Sequence, residues 1–223
     1  MQEQLSLSEM IEKLLQIDDE HWGLYAFSRD ILKERIPEEK KIEMIRKAVD
    51  CGREYARRII KDFGSSEVHT IAEKLKLNIV FQNAMMTGKR ILFACYTPPD
   101  KIEIMTEPVN KAVELVSKDE SILIEYFQKD SIMNIILGHE IFHYIEDQFE
   151  WEIYTRTEKI LLWKFMGFKN NSTIRSLSEI GAMAFTKELN LLKYSPFILD
   201  ILLYYSYDSS NAEKIFHDVL EMS

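Results

Sequence analysis

Ser131-Ile132-Met133-Asn134-Ile135-Ile136-Leu137-Gly138-His139-Glu140-Ile141-Phe142-His143 is the stretch on which both fold and chemistry turn. It ends in H-E-x-x-H. Apolar side chains at Ile132, Ile135, Ile136 and Phe142 recur at helical spacing, so the stretch predicts a helix with one stripe facing the interior. His139 and His143 share that stripe. Residues four apart on a helix lie ~6 Å from each other on one face, which lets two imidazoles converge on one zinc ion at ~2.0 to 2.1 Å. Glu140 is rotated off that line, where it can reach a water held by the ion and take its proton. The alternative is a pair of satisfied core histidines, and buried imidazoles without partners are costly.

Two histidines do not complete a zinc site. His21, His69 and His217 are the others, and none continues an H-E-x-x-H-x-x-G-x-x-H arrangement, because Tyr144-Ile145-Glu146 supplies no Gly and no third His follows. Glu146 follows His139 by seven positions, an axial rise of ~10 Å at 1.5 Å per residue, too far for one ion on a straight helix. Glu179 is the better candidate, in Ser176-Leu177-Ser178-Glu179-Ile180-Gly181-Ala182-Met183-Ala184-Phe185-Thr186. This segment reads as a helix started or capped by Ser176 or Ser178. Its small residues, with Gly138 opposite, suggest two backbones meeting around a shared ion. Without such a meeting Glu179 is an ordinary solvated carboxylate.

Working outward, Leu5 to Ile36 and Glu38 to Phe63 carry the helical period, with Pro37 at a helix start and Gly64 as a C-cap. Ser65 or Ser66 starts a further helix through Leu77. From Asn78 the period changes, and Ile79–Phe81, Arg90–Tyr96 and Lys101–Met105 read as three strands separated by Thr87-Gly88 and Pro98-Pro99-Asp100. Lys101–Met105 alternates charged and aliphatic residues, the pattern of a strand with one face or edge open. After Pro108 everything reads as helix. The expected architecture is α+β, predominantly helical, with an N-terminal helical extension over 1–52 and a main domain over 53–223.

Composition narrows the function classes. The 223 residues carry a formal net charge of −9, which disfavours direct nucleic-acid binding. Cys51 and Cys95 form no CxxC pair and no disulfide framework, so both are expected reduced and buried. The start Met1-Gln2-Glu3-Gln4 lacks a basic, then apolar, leader. Pro196–Tyr207, interrupted by Asp200, falls short of the ~20 residues of a membrane span, so no membrane partner is expected.

With these residues in place, the chain resembles the ImmA/IrrE metallopeptidases, gluzincin-like zincins. Ala56 to Leu77, with Ile59, Phe63-Gly64 and Ile71-Ala72-Glu73-Lys74-Leu75, looks like the helix, turn and helix that open that domain. Strands at Ile79, Ile91 and Ile102–Ile104 follow in the family's order, then His139-Glu140-Ile141-Phe142-His143. Glu179-Ile180-Gly181-Ala182-Met183-Ala184-Phe185 is similar to the E-x-x-A-N-x-F-A signature whose Glu is the third zinc ligand. The likeness covers roughly residues 53 to 195. Met183 replaces the usual Asn, removing a hydrogen bond of the kind that tunes metal affinity. The L-L-M-P ending is only echoed by Leu189-Asn190-Leu191-Leu192, and Gln148 to Ser178 is longer than the family's usual connection. Trp151, Trp163, Phe165 and Phe168 there either cover the cleft or pack in a helix.

The resemblance implies a zincin-like fold and a cytoplasmic, Zn2+-dependent endopeptidase that cuts a regulatory protein such as a repressor. His139, His143 and Glu179 would be its metal ligands and Glu140 its catalytic base. Residues 1–52 show no helix-turn-helix module. The strand at Ile102 and Ile104 is expected to take an extended substrate by strand addition. Tyr144, Tyr204, Tyr205, Tyr207 and His217 are candidates to stabilise an oxyanion. The alternative function is a catalytically weak or inactive metal-bound sensor that docks a partner protein without cutting it.

Overall fold

Ser6 and Glu9 cap each other reciprocally, the hydroxyl accepting from Glu9 N–H and the Glu9 carboxylate from Ser6 N–H, and this fixes the start of α1 (Leu7–Leu14). Asp18 accepts from His21 N–H and starts α2 (Asp19–Ser28), which a 3₁₀ turn (Lys33–Arg35) follows. The helical expectation for 5–36 therefore resolves into short pieces, of which α1 and α2 are each begun by their own polar cap. Pro37 precedes α3 (Glu38–Phe63), and Gly64 closes it at φ 65° in the left-handed region that favours glycine. The next helix, α4 (Val68–Lys74), is capped by Glu67 rather than by Ser65 or Ser66, its carboxylate accepting from His69 and Thr70 N–H.

This computed structural model describes residues 5–83, 86–87, 90–118 and 123–222. Met1–Gln4, and Gly88 of the expected Thr87-Gly88 turn, lie outside the described residues. Next come β1 (Asn78–Gln82), β2 (Met86–Thr87), β3 (Arg90–Ile91), β4 (Ala94–Thr97) and β5 (Lys101–Met105). The single strand expected over Arg90–Tyr96 is two, with Leu92 and Phe93 between them. The three-stranded sheet has the order β1-β5-β4, β5 pairing parallel with β1 and antiparallel with β4. This corrects the expectation for Ile102 and Ile104. Both edges of β5 are already paired, and both isoleucines are buried in the core. Alternation reported a covered face correctly; it carries no information about strand order.

The chain continues through α5 (Thr106–Ser117), α6 (Leu123–Tyr126), α7 (Lys129–Gln148) and α8 (Tyr154–Thr157). A hairpin follows, β6 (Lys159–Phe165) and β7 (Phe168–Thr173), then α9 (Arg175–Leu189), α10 (Ile198–Tyr205) and α11 (Ser209–Leu220). The hairpin overturns the all-helical expectation after Pro108. Its two-residue turn has positive φ at both Met166 (46°) and Gly167 (89°), the geometry that matches strand twist. Asn or Asp usually advertises that turn; Met does not.

Residues from Leu7 to Val219 share one hydrophobic core. A division at 52/53 falls inside α3, which packs most extensively against α9. Asp19 on α2 ties the arrangement together, pairing with Arg53 of α3 and Lys187 of α9, each at 2.7 Å. Gly52 makes the close approach possible: a Cβ there would lie 2.2 Å from the Gly181 carbonyl oxygen and 2.8 Å from Phe185 N. Among the described residues no helix is long and apolar enough to cross a membrane.

Candidate metal centre

α7 is apolar on most of its circumference, burying Ile132, Ile135, Leu137, Ile141, Phe142 and Ile145, and so runs through the interior rather than along a surface. Gly138 and Gly181 sit where α7 and α9 meet. A Cβ at Gly138 would touch the Thr186 side chain at 3.3 Å, and one at Gly181 would press on the Phe142 ring at 2.9 Å. α9 supplies no side-chain cap of its own. Asp30 caps it from outside, one carboxylate oxygen accepting from Ser176 N–H (2.9 Å) and the other from Leu32 N–H (2.8 Å). Neither serine expected to start the helix does so. The Ser176 hydroxyl has no partner, and Ser178 donates to Glu146.

These contacts bring the three expected ligands together. His139 Nε2 and His143 Nε2 are 3.0 Å apart, and a Glu179 carboxylate oxygen lies 3.3 Å from His139 Nε2. One ligand atom from each residue falls within 4.8 Å of the others. Ligand atoms of a tetrahedral ion with bonds of ~2.0 to 2.1 Å lie about 3.3 Å apart, so the donor set and its spacing could hold one metal ion. Glu179 keeps 41% of its side chain accessible, and His139 only 16%.

Electrostatics bind the same groups. Burial works against a charge on His139, but the Glu179 carboxylate overrides it and lifts the imidazole pKa to about 9. Burial likewise opposes the Glu179 charge, while His139, His143 and Arg175 hold that carboxyl down at about 2. A cation accepted between them replaces the His139 proton.

Glu140, 7% exposed, faces the same cleft, with one carboxylate oxygen accepting from Tyr96 N–H at 2.7 Å. His139, Glu140 and Glu179 line a cavity of about 820 Å³, and His143 and Glu179 line a smaller one of about 260 Å³. The triad stands between them. Of the five oxyanion candidates only Tyr204 lines the larger cavity. Tyr144 packs edge-on against Tyr96, Tyr207 lies under Lys111, and His217 sits against Phe216.

Three acidic residues at the site were given no role from the sequence. Glu146 is fully buried; it meets His143 Nδ1 at 3.0 Å, accepts from Ser178 (2.5 Å) and Thr155 hydroxyls, and lies 3.3 Å from Arg156. A carboxylate on the far nitrogen of a ligand imidazole fixes its tautomer and orientation. Its seven-residue spacing from His139 ruled it out as a ligand, while its three-residue spacing from His143 was the signal that it could support that ring. Asp200 faces the larger cavity, where burial raises its pKa to about 6. Its signal was a single acid in an apolar helix. Asp30 had none, because its partner lies 146 residues away. His139 Nδ1, by contrast, is buried without a partner, and Met183 in the same cavity offers no acceptor. The thiols are both free, Cys51 buried as expected and Cys95 only half-buried.

No family model, curated protein or solved structure matches this chain.

Proposed function

We propose that this chain is a zinc-dependent endopeptidase of the ImmA/IrrE kind, with a regulatory protein such as a repressor as its substrate. The observation that carries the reading is the convergence of His139, His143 and Glu179 between two cavities, the larger of which Glu140 also faces. A purely structural zinc site has four protein ligands and no use for a neighbouring base. Here two of the three ligand side chains, His139 and Glu179, open onto the same cleft as the Glu140 carboxylate, with His143 beside them.

Bound there, zinc supplies Lewis acidity, polarising a carbonyl and lowering the pKa of a water toward ~7. Glu140, held facing the cleft by the Tyr96 N–H, takes the proton from the attacking water and delivers it to the leaving amine. Glu146 keeps the His143 ring in register. Strand addition passes from β5 to β4, an edge strand of the sheet whose Ala94 lines the cleft. The Tyr204 phenol is the donor this reading assigns to the oxyanion. The two free thiols accord with a cytoplasmic setting.

One observation favours the sensor alternative: the unpartnered His139 Nδ1 beside Met183 leaves one ligand ring less firmly oriented. Cleavage of a quenched-fluorescence peptide library separates the two. The enzyme reading expects turnover in the zinc-loaded chain that drops by roughly 10²- to 10⁴-fold in Glu140→Gln, with zinc content unchanged. Full zinc loading with no Glu140-dependent cleavage gives the sensor.

A further inference from the structure

The β6–β7 hairpin is apolar where it should be polar and charged where charge is unfavourable. Phe165 (67% exposed) stands opposite Phe168 (75%), and Met166 at the turn is 82% exposed. Trp163 shares the face of Phe165, two residues along the same strand. On the other face Lys164 stands directly opposite Lys169, a like-charge pair that weakens a hairpin. Residues 159–175 carry Lys159, Lys164, Lys169 and Arg175 and no acid, within a chain of net charge −9. The hairpin also leads into the site. Ser172 and Thr173 at the end of β7 line the large cleft beside Arg29 and Arg175, and Arg35 donates to the Leu162 carbonyl, bracing β6 from the other side.

We propose that the outer edge of β7 is a docking strand for an extended protein segment in which acidic and apolar residues alternate, delivered from there into the cleft. A strand added to β7 sends successive side chains to opposite faces, so one set meets Lys164 and Lys169 and the other meets Trp163, Phe165 and Phe168. Residues 168–171 of β7 are all exposed, which leaves that edge open. A second copy fits poorly, because self-pairing of β7 edges would set lysines against lysines. An anionic bilayer would take only the turn, leave Trp163 and Leu161 along the strand unused, and repel the acidic body. That the docked segment is a substrate rests on the peptidase reading; docking itself does not.

The test uses the full chain carrying Glu140→Gln, so that binding is read without hydrolysis. Fluorescence anisotropy compares a labelled peptide alternating Glu and Leu, the same composition in two blocks, and a peptide alternating Lys and Leu. The alternating acidic peptide should bind tightest. Lys164→Glu with Lys169→Glu should weaken it by roughly tenfold and turn the preference toward the Lys-Leu peptide, a gain that misfolding cannot produce. Equal binding of alternating and block peptides, or indifference to charge reversal, overturns the proposal. So does partition onto phosphatidylglycerol vesicles, or self-association abolished by the same substitutions, when either occurs without binding of the acidic peptide. Peptide docking by a chain that holds no zinc sinks the enzyme reading alone, and zinc-dependent cleavage with no peptide preference sinks the docking strand alone.

Discussion

The α7–α9 pair and the β6–β7 hairpin border the same cleft and are held in opposite ways. The helix pair is over-determined: Gly52, Gly138 and Gly181 admit neighbouring atoms, Asp30 caps α9 from a distant segment, and Asp19 clamps α9 through Lys187. The outer half of the hairpin rests on its own ladder and turn, while Arg35 and the partly buried Ile160 tie its base to the body. The His139, His143 and Glu179 donors, which converge within a few ångströms, sit on the rigid part, and the exposed part carries the groups proposed to meet a variable partner. Substitutions should divide accordingly between fold and metal on one side and recognition on the other.

The sharpest way to break the contrast is Gly52→Ala. The added methyl meets backbone on α9 rather than a yielding side chain, so we expect a loss of about 3 kcal/mol in unfolding free energy by urea denaturation. Metal affinity should fall with it as α9 shifts. A loss under about 0.5 kcal/mol, the scale of ordinary surface substitutions, would mean that α3 does not fix α9.

Glu146→Gln comes next. It removes the charge behind His143 while keeping shape, and zinc affinity measured against a competing chelator should drop roughly 10- to 100-fold. An unchanged affinity would reduce Glu146 to a packing role.

Asp200→Asn tests the cleft wall through pH. The folded pKa of about 6 lies above the unfolded carboxyl value, so the native state holds the proton more tightly and stability falls as pH rises between the two. The variant should therefore gain about 1 to 2 kcal/mol at pH 7 and nothing near pH 3, read from paired urea melts. A gain independent of pH would contradict the assigned cause.

Phe168→Ser should be the mildest. Its side chain is exposed, so unfolding free energy should stay within about 0.5 kcal/mol while zinc affinity is untouched. A larger loss would show that the hairpin belongs to the core.

What could be read from sequence follows the same division. His139 and His143 were legible because a helix converts a spacing of four into a shared face, and Glu179 because small residues flagged close helix packing beside it. Gly52 and Asp30 act through partners far along the chain, and no local pattern reports them; Asp200 shows as a lone acid in an apolar helix, but nothing local says what it faces. β5 was legible as a strand but not as the middle one, since Ile102 and Ile104 alternate in the same way at an edge or at the centre. The hairpin was missed because Met166 occupies a turn position that Asn or Asp usually marks.

Calorimetric titration of zinc into the metal-stripped chain and into Glu179→Ala tests whether His139, His143 and Glu179 hold one ion together. We expect one zinc per chain, bound with proton release at pH 7 as His139 gives up its proton, and an affinity in Glu179→Ala lower by at least roughly 100-fold. Equal affinity in the two proteins would contradict it.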